Sequence, residues 1–279
     1  MSKFALVCFA LLITAGVASA QTPAQRGDYL VNSVLACGNC HTPQGPGGSV
    51  MEKYLSGGIR FNEAPFDVTA SNITPDKTTG IGSWSDADLK RSLVEGVRPN
   101  GVPLAPIMPV AFYKILTPSD LNAVVAYLKT VKPIENKVRD PEYKIALPPM
   151  VFPGAEKPMP EADLADKVKR GFYLATIGHC MECHTPMTRG HHHFDTAMGK
   201  GGTEFPGPWG VSKSPNVTPH PTAGIGAWSD AEVKRAITQG VSRDGRKLKP
   251  PMGYGFYARM TDGDLDAVVA WLRTLKPIE

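Results

Sequence analysis

Two short segments of the sequence combine a pair of cysteines with a histidine in the pattern Cys-x-x-Cys-His. They consist of Cys37, Cys40 and His41 in the first segment and of Cys180, Cys183 and His184 in the second. Two cysteines at this spacing can form thioether bonds to both vinyl groups of one haem, and the adjoining histidine then lies beneath the iron as its proximal ligand. The pattern therefore predicts two covalently attached haem c groups.

Paired cysteines have two other common uses. In an oxidising compartment the four cysteines can close two disulfides, and Cys-x-x-Cys pairs also bind zinc. Neither use requires a histidine directly after the second cysteine. A zinc site would also need further ligands nearby, and His41 is the only histidine before residue 133. Haem is the favoured interpretation, with disulfides or a metal site as the alternatives.

An internal duplication indicates which residues are equivalent. Asn72–Pro75 recurs as Asn216–Pro219 and Gly80–Asp86 recurs as Gly224–Asp230, in each case 144 positions later, whereas the cysteine-histidine segments are 143 positions apart. Repetition on this scale indicates two copies of one domain, which agrees with the length of the chain, since one domain has roughly 100 to 150 residues.

The repeat also selects a sixth ligand for each iron. The sequence has ten methionines, of which only Met108 and Met252 align with each other, both in loops that contain proline. Because equivalent haems should have equivalent ligands, we predict the pairs His41/Met108 and His184/Met252, with packing in the core as the alternative for the methionines. Ligation by histidine and methionine leaves no open position on the iron, which favours electron transfer over binding of oxygen or peroxide.

Helices are expected to position these residues, and the predicted fold class is all-α. The expected helices begin at about Pro23, Ser85 and Thr117 in the first copy and at about Leu164, Ser229 and Thr261 in the second. Ser85 and Ser229 are predicted N-caps, because Asp88 and Glu232 follow three positions later as in a capping box. Short helices with this much loop bury little apolar surface, so a haem is expected to complete each core.

The sequence divides into four segments. These are a signal peptide, domain 1, a proline-rich linker and domain 2, at residues 1–20, 21–132, 133–163 and 164–279. The signal peptide is predicted because Lys3 precedes an apolar stretch that ends in Ala18-Ser19-Ala20. We therefore expect a periplasmic protein with no transmembrane segment in the mature chain, and an extended linker over its surface. The net charge of +4 is too small to indicate nucleic-acid binding.

The full series of motifs resembles class I cytochrome c domains. It includes Arg26–Leu30 before the first cysteine-histidine segment, Gly57-Gly58 after it, the two repeated motifs and Pro106–Pro109 around Met108. More narrowly, the chain resembles the cytochrome c subunits that serve bacterial membrane-bound alcohol, aldehyde and gluconate dehydrogenases. Those subunits usually carry three such domains and often a membrane anchor, whereas two domains and no anchor are expected here.

The resemblance also implies how the helices meet. The first helix of each copy should cross the last one, with Gly27 and Gly171 at the crossings, near Tyr127 and Trp271. Glycine at these positions would allow the two backbones to approach closely.

Two differences between the copies bear on the site. His191–His193 has no counterpart in the first copy, and a solvated loop is favoured over a metal-binding tract or a rival haem ligand. The segment before Met252 is basic in the second copy only, through Arg243, Arg246, Lys247 and Lys249. This segment is either a solvated loop or a docking surface for an acidic partner.

Together these features predict a periplasmic di-haem cytochrome c that transfers electrons between a dehydrogenase and a downstream respiratory acceptor, either an oxidase or another cytochrome. No catalytic residue is assigned, and we expect an electron-transfer protein or subunit rather than an enzyme. The alternative is a di-haem oxidoreductase enzyme similar to a peroxidase or thiosulfate dehydrogenase, which would need a haem with a vacant or exchangeable position.

Overall fold

The computed structural model describes residues 21–146 and 149–279. The predicted signal peptide lies outside the described residues. The helices of the first repeat are α1 (Pro23–Tyr29), α2 (Gly38–His41), α3 (Asp86–Val94), α4 (Val110–Tyr113) and α5 (Pro118–Leu128). Those of the second repeat are α6 (Lys167–Ile177), α7 (Cys180–His184), α8 (Phe194–Ala197), α9 (Asp230–Gln239), α10 (Tyr254–Tyr257) and α11 (Asp262–Leu272). In the part of the chain that is described, none of the helices has the length and apolar character that a membrane span requires.

Antiparallel strands accompany these helices, so the predicted all-α fold class is wrong. The strands are β1 (Gln44–Gly45), β2 (Gly48–Ser49), β3 (Arg60–Asn62), β4 (Phe66–Thr69), β5 (Glu142–Tyr143), β6 (Met187–Thr188), β7 (His191–His192), β8 (Glu204–Gly207) and β9 (Gly210–Lys213). β1–β2, β6–β7 and β8–β9 are hairpins, and β3, β4 and β5 form a sheet in that order. The glycine-rich segments reverse direction at left-handed positions such as Gly190, with a φ of 81°. Strands of two to four residues leave no alternating pattern by which the sequence would reveal them.

One extra residue in the first repeat is accommodated in a wide helical turn. After α1 the chain continues as a π-helix over Leu30–Val34, and the amide of Leu35 donates to the carbonyl oxygen of Leu30 at 2.9 Å. The second repeat passes the same region as the regular helix α6. A π-helical turn inserts one residue into a helix, which explains why the cysteine-histidine segments are 143 positions apart and not 144.

The first and last helices of each repeat cross in close contact, as the resemblance implied. A Cβ on Gly27 would lie 1.9 Å from a carbonyl oxygen of α5, and a Cβ on Gly171 would lie 1.9 Å from a carbonyl oxygen of α11. Tyr127 and Trp271 border the two crossings. No side chain can occupy these positions without moving the helices apart.

The hydrophobic core runs through both repeats and the linker. Phe152 of the linker is 1% exposed, and its ring centroid lies 4.8 Å from that of Phe112 in the first repeat and 4.9 Å from that of Phe194 in the second. The linker also supplies β5, which pairs with β4 of the first repeat. The expectation that the linker lies over the surface is therefore wrong at Phe152, where an aromatic side chain fills space between the repeats.

Candidate functional site

The two predicted proximal histidines occupy equivalent positions, His41 at the end of α2 and His184 at the end of α7. The Nδ1 of His41 lies 2.7 Å from the carbonyl oxygen of Ser71, and the Nδ1 of His184 lies 2.8 Å from that of Pro215. An Nδ1–H that donates to a carbonyl fixes the tautomer whose lone pair is on Nε2. This is the arrangement of a histidine that binds a metal through Nε2.

The repeated Asn-x-Thr-Pro motif holds the loop that carries these carbonyls. Asn72 follows Ser71, and its side-chain amide donates to the carbonyl oxygen of Ile134 at 2.7 Å. Asn216 makes the same contact with Ile278 at 2.6 Å. Sequence reading identified the motif as a repeat but did not assign it this function. In both copies the motif directly follows the residue whose carbonyl oxygen faces the histidine, which explains why it occurs in both.

Burial disfavours the charged form of both histidine rings. Burial lowers the pKa of His41 and of His184, while their hydrogen bonds to backbone carbonyls act in the opposite direction. A neutral imidazole is the form that can ligate a metal. Among the described residues, no group forms a hydrogen bond to Nε2 of either ring.

The four cysteines of the two motifs are unpaired. Burial raises the pKa of Cys37, Cys180 and Cys183 to about 12, and that of Cys40 to about 11. A redox-active Cys-x-x-Cys pair relies on a lowered thiol pKa. In addition, no three His, Cys, Asp or Glu side chains come together as a metal site in residues 21–146 and 149–279. The disulfide and zinc alternatives therefore have no support from the geometry.

Met108 and Met252 lie in equivalent turns, each two residues before a short helix. The amide of Val110 at the start of α4 donates to the carbonyl oxygen of Met108 at 2.7 Å, and the amide of Tyr254 at the start of α10 donates to that of Met252 at 3.0 Å. Both methionine side chains are partly buried. The equivalence that the sequence indicated therefore extends to the local backbone, while their role as ligands stays a prediction.

The residues present fit a covalently attached haem. Each site offers two unpaired thiols at the attachment spacing, and each offers a buried histidine whose Nε2 has no hydrogen-bond partner among the described residues and whose Nδ1 is fixed by a carbonyl. These groups would hold the porphyrin by its vinyl groups and its iron by Nε2.

The histidine tract of the second repeat is part of the β6–β7 hairpin. His191 is exposed, whereas His192 is partly buried, with its ring stacked on Phe194 at 5.0 Å between centroids. The Nε2 of His192 lies 2.9 Å from the carbonyl oxygen of Glu182. The tract is thus less solvated than expected, because His192 ties the hairpin to the attachment segment.

The two sites also lie next to each other, which sequence reading did not anticipate. A Cβ on Gly38, between the first pair of cysteines, would lie 3.1 Å from the ring of Phe256 in α10 of the other repeat. The carboxylate of Glu182 in the second motif is close enough to add to the raised pKa of Cys40 in the first. The two attachment segments therefore adjoin across the contact between repeats.

Comparison with known proteins gives a consistent result. Residues 168–276 match the cytochrome c family, which implies a covalently bound haem c. The chain is 29% identical to the fructose dehydrogenase cytochrome subunit of Gluconobacter japonicus, over 92% of this chain and 54% of the relative. It is 29% identical to the cytochrome c subunit of the quinone-dependent alcohol dehydrogenase of Gluconacetobacter polyoxogenes, over 99% of this chain and 61% of the relative.

The chain spans only 54% and 61% of those two dehydrogenase subunits. It covers more of a third relative, a di-haem c-type cytochrome of Cereibacter sphaeroides, with 29% identity over 87% of this chain and 83% of the relative. The resemblance to the cytochrome c subunits of bacterial dehydrogenases that the motifs indicated is thus confirmed, and the match to the cytochrome c family covers the second repeat.

Proposed function

We propose that the chain is a periplasmic di-haem cytochrome c that carries electrons from a dehydrogenase to a downstream respiratory acceptor. The observation that supports this most strongly is the duplication of the site, since both repeats pair unbridged cysteines with a histidine fixed through Nδ1. The relatives are named as cytochrome subunits of dehydrogenases, which supports an electron-transfer subunit and not the catalytic enzyme. A haem c in each site would supply a one-electron couple at its iron.

Each residue has a defined task in this proposal. Cys37 and Cys40 would attach one haem, and Cys180 and Cys183 would attach the other. His41 and Met108 would ligate the iron of the first haem. In the second repeat His184 and Met252 would have the same task. Ligation by two protein side chains would leave no open position for a substrate at the iron.

The ligands can be tested by absorption and resonance Raman spectroscopy of the oxidised protein. We expect two low-spin haems, each with the far-red charge-transfer band of methionine-to-iron ligation. Met108→Ala and Met252→Ala should each remove this band from one of the two haems, and the double variant should remove it entirely. Met51→Ala and Met187→Ala are matched controls, because these methionines are 61% and 50% exposed.

The same spectra separate the proposal from the enzyme alternative. A high-spin haem or a haem with two histidine ligands in the unmodified protein would contradict the carrier assignment and favour a di-haem oxidoreductase. A haem content of one per chain would contradict the proposal at the level of the cofactor.

A further inference from the structure

A tyrosine of each repeat binds the start of the last helix in the other repeat. Tyr173 in α6 donates to the carboxylate of Asp120 in α5 at 2.7 Å, and its hydroxyl lies 3.4 Å from the backbone amide of Thr117. Thr117 is the N-cap of α5, and its own hydroxyl accepts from the Asp120 amide. The hydroxyl of Tyr173, in the second repeat, therefore bonds to residues at the N-terminus of a helix in the first repeat.

The reverse contact is formed by the equivalent residues. Tyr29 at the end of α1 donates to the carboxylate of Asp264 in α11, and its hydroxyl lies 3.3 Å from the backbone amide of Thr261, the N-cap of α11. Tyr29 and Tyr173 are 144 positions apart, as are Asp120 and Asp264. The two contacts are thus reciprocal, because equivalent residues form them in both directions.

An arginine from the same repeat completes each contact. Arg26 forms two hydrogen bonds of 2.8 Å with the carboxylate of Asp120, and Arg170 bonds to that of Asp264. The two aspartates are only 4% and 2% exposed. A buried carboxylate needs all of its partners, because loss of one leaves charge that water cannot reach. Each carboxylate therefore links the first and last helices of its own repeat to a helix of the other.

These contacts lie on the same helices that lead to the attachment segments. α6 continues into the second cysteine-histidine segment, and the π-helical turn after α1 leads to the first. A Cβ on Gly178 at the end of α6 would lie 3.3 Å from the carbonyl oxygen of Val34 at the end of that turn. Any rotation of one repeat against the other would therefore move one attachment segment relative to the other.

We propose that Tyr29 and Tyr173 are positioning residues that lock the two repeats together through Asp264 and Asp120, and so hold the two haem-attachment segments in one fixed mutual geometry. This inference rests on the proposed di-haem function. The inference goes beyond that function, because it states that two hydroxyl groups outside both sites determine how the sites are oriented relative to each other.

The test uses the full haem-loaded chain and its circular dichroism in the Soret region, where two haems held at a fixed angle give a bisignate couplet. We expect the couplet in the unmodified protein and its loss in the Tyr29→Phe/Tyr173→Phe double variant, with the absorption spectrum of the haems unchanged. Tyr127→Phe is the matched control, because Tyr127 accepts a hydrogen bond from Asn32 within the first repeat. This control should keep the couplet.

Thermal unfolding gives a second measurement. The unmodified chain should unfold in one transition, and the double variant should unfold at a lower temperature, because each buried carboxylate loses one hydrogen-bond partner. If the double variant does not fold, the single variants decide, because each keeps one of the two contacts and should show a reduced couplet. The proposal would be contradicted if the couplet kept its full amplitude in the single variants, and in the double variant if it folds. Failure of the proposed function would instead appear in the unmodified protein, as the absence of two low-spin haems.

Discussion

Individual glycines determine how closely the helices of each repeat approach. At Gly27 and Gly171 the space for a Cβ is already taken by a carbonyl oxygen of the crossing helix. Substitution by alanine must push the helices apart, and this would disturb the neighbouring Tyr29 and Tyr173 as well. The packing of the first helix on the last helix in each repeat therefore requires glycine at positions 27 and 171.

We expect Gly27→Ala and Gly171→Ala each to lower the free energy of unfolding by about 3 kcal/mol, the upper end of the usual cost of overpacking a core. Chemical denaturation of the haem-loaded protein measures this. Gly47→Ala is the control, because no atom lies within 4 Å of a Cβ there. Equal losses in the control and at the crossings would contradict the steric explanation.

At the scale of one residue, the sequence indicates candidate ligands more readily than the groups around them. Spacing alone predicts His41 and His184 as ligands, because covalent attachment needs the histidine at one position. The carbonyl oxygens of Ser71 and Pro215 carry no side-chain signal, since any residue offers a carbonyl. The local sequence does not indicate the contact between Tyr29 and Asp264 either, because a contact between residues far apart in the chain follows from tertiary packing. The tyrosine and the aspartate each recur in both copies, and this repetition is the sequence feature that could have indicated the contact.

Among the elements, the two helices that follow a tryptophan are the best determined by local sequence. The structure confirms both predicted capping boxes, in which Ser85 pairs with Asp88 and Ser229 with Glu232. The serine hydroxyl accepts a hydrogen bond from the backbone amide at N3, which has no partner within the helix. The start of these helices therefore depends on four adjacent residues, which sequence reading can recognise. The hairpins depend on left-handed glycines and pairs of very short strands, which it cannot.

We expect Ser229→Ala to lower the free energy of unfolding by about 1 kcal/mol through loss of this cap, and Ser85→Ala to have a similar effect. Ser229→Gly should cost only a few tenths of a kcal/mol, because glycine is tolerated at an N-cap. Denaturation by urea provides the comparison. A larger loss for glycine than for alanine would show that the serine acts through something other than its cap.

Across the whole molecule, the two repeats share an interior but present different surfaces. The loop before Met252 carries exposed Arg243, Arg246, Lys247 and Lys249, of which the two arginines face the carboxylates of Glu232 and Asp244. The lysines form no ion pair with any described residue. The equivalent positions of the first repeat carry no charge. The second repeat therefore has the more positive surface beside its methionine.

We expect Lys247→Glu to slow oxidation of the reduced protein by hexacyanoferrate(III) by about two- to five-fold at low ionic strength, since the reagent is an anion drawn to positive charge. The difference should disappear at high salt, where screening shortens the range of the field. Stopped-flow spectroscopy measures both rates. Lys157→Glu makes the same change of charge on the exposed linker, and an equal effect there would contradict a local role for the loop.

The crossed tyrosine contacts have a consequence for the origin of the chain. An interface in which residue i of one unit meets residue j of the other, and j meets i, is the isologous pattern of a two-fold homodimer. A single ancestral repeat with these residues would have been complementary to itself, so fusion of two genes would have preserved a contact that already existed. After fusion the two contacts can change separately, because a substitution at Tyr29 leaves the contact of Tyr173 in place. The paired Tyr, Asp and Arg residues are nevertheless the same in both halves, whereas the loop before Met252 differs from its equivalent in the first repeat.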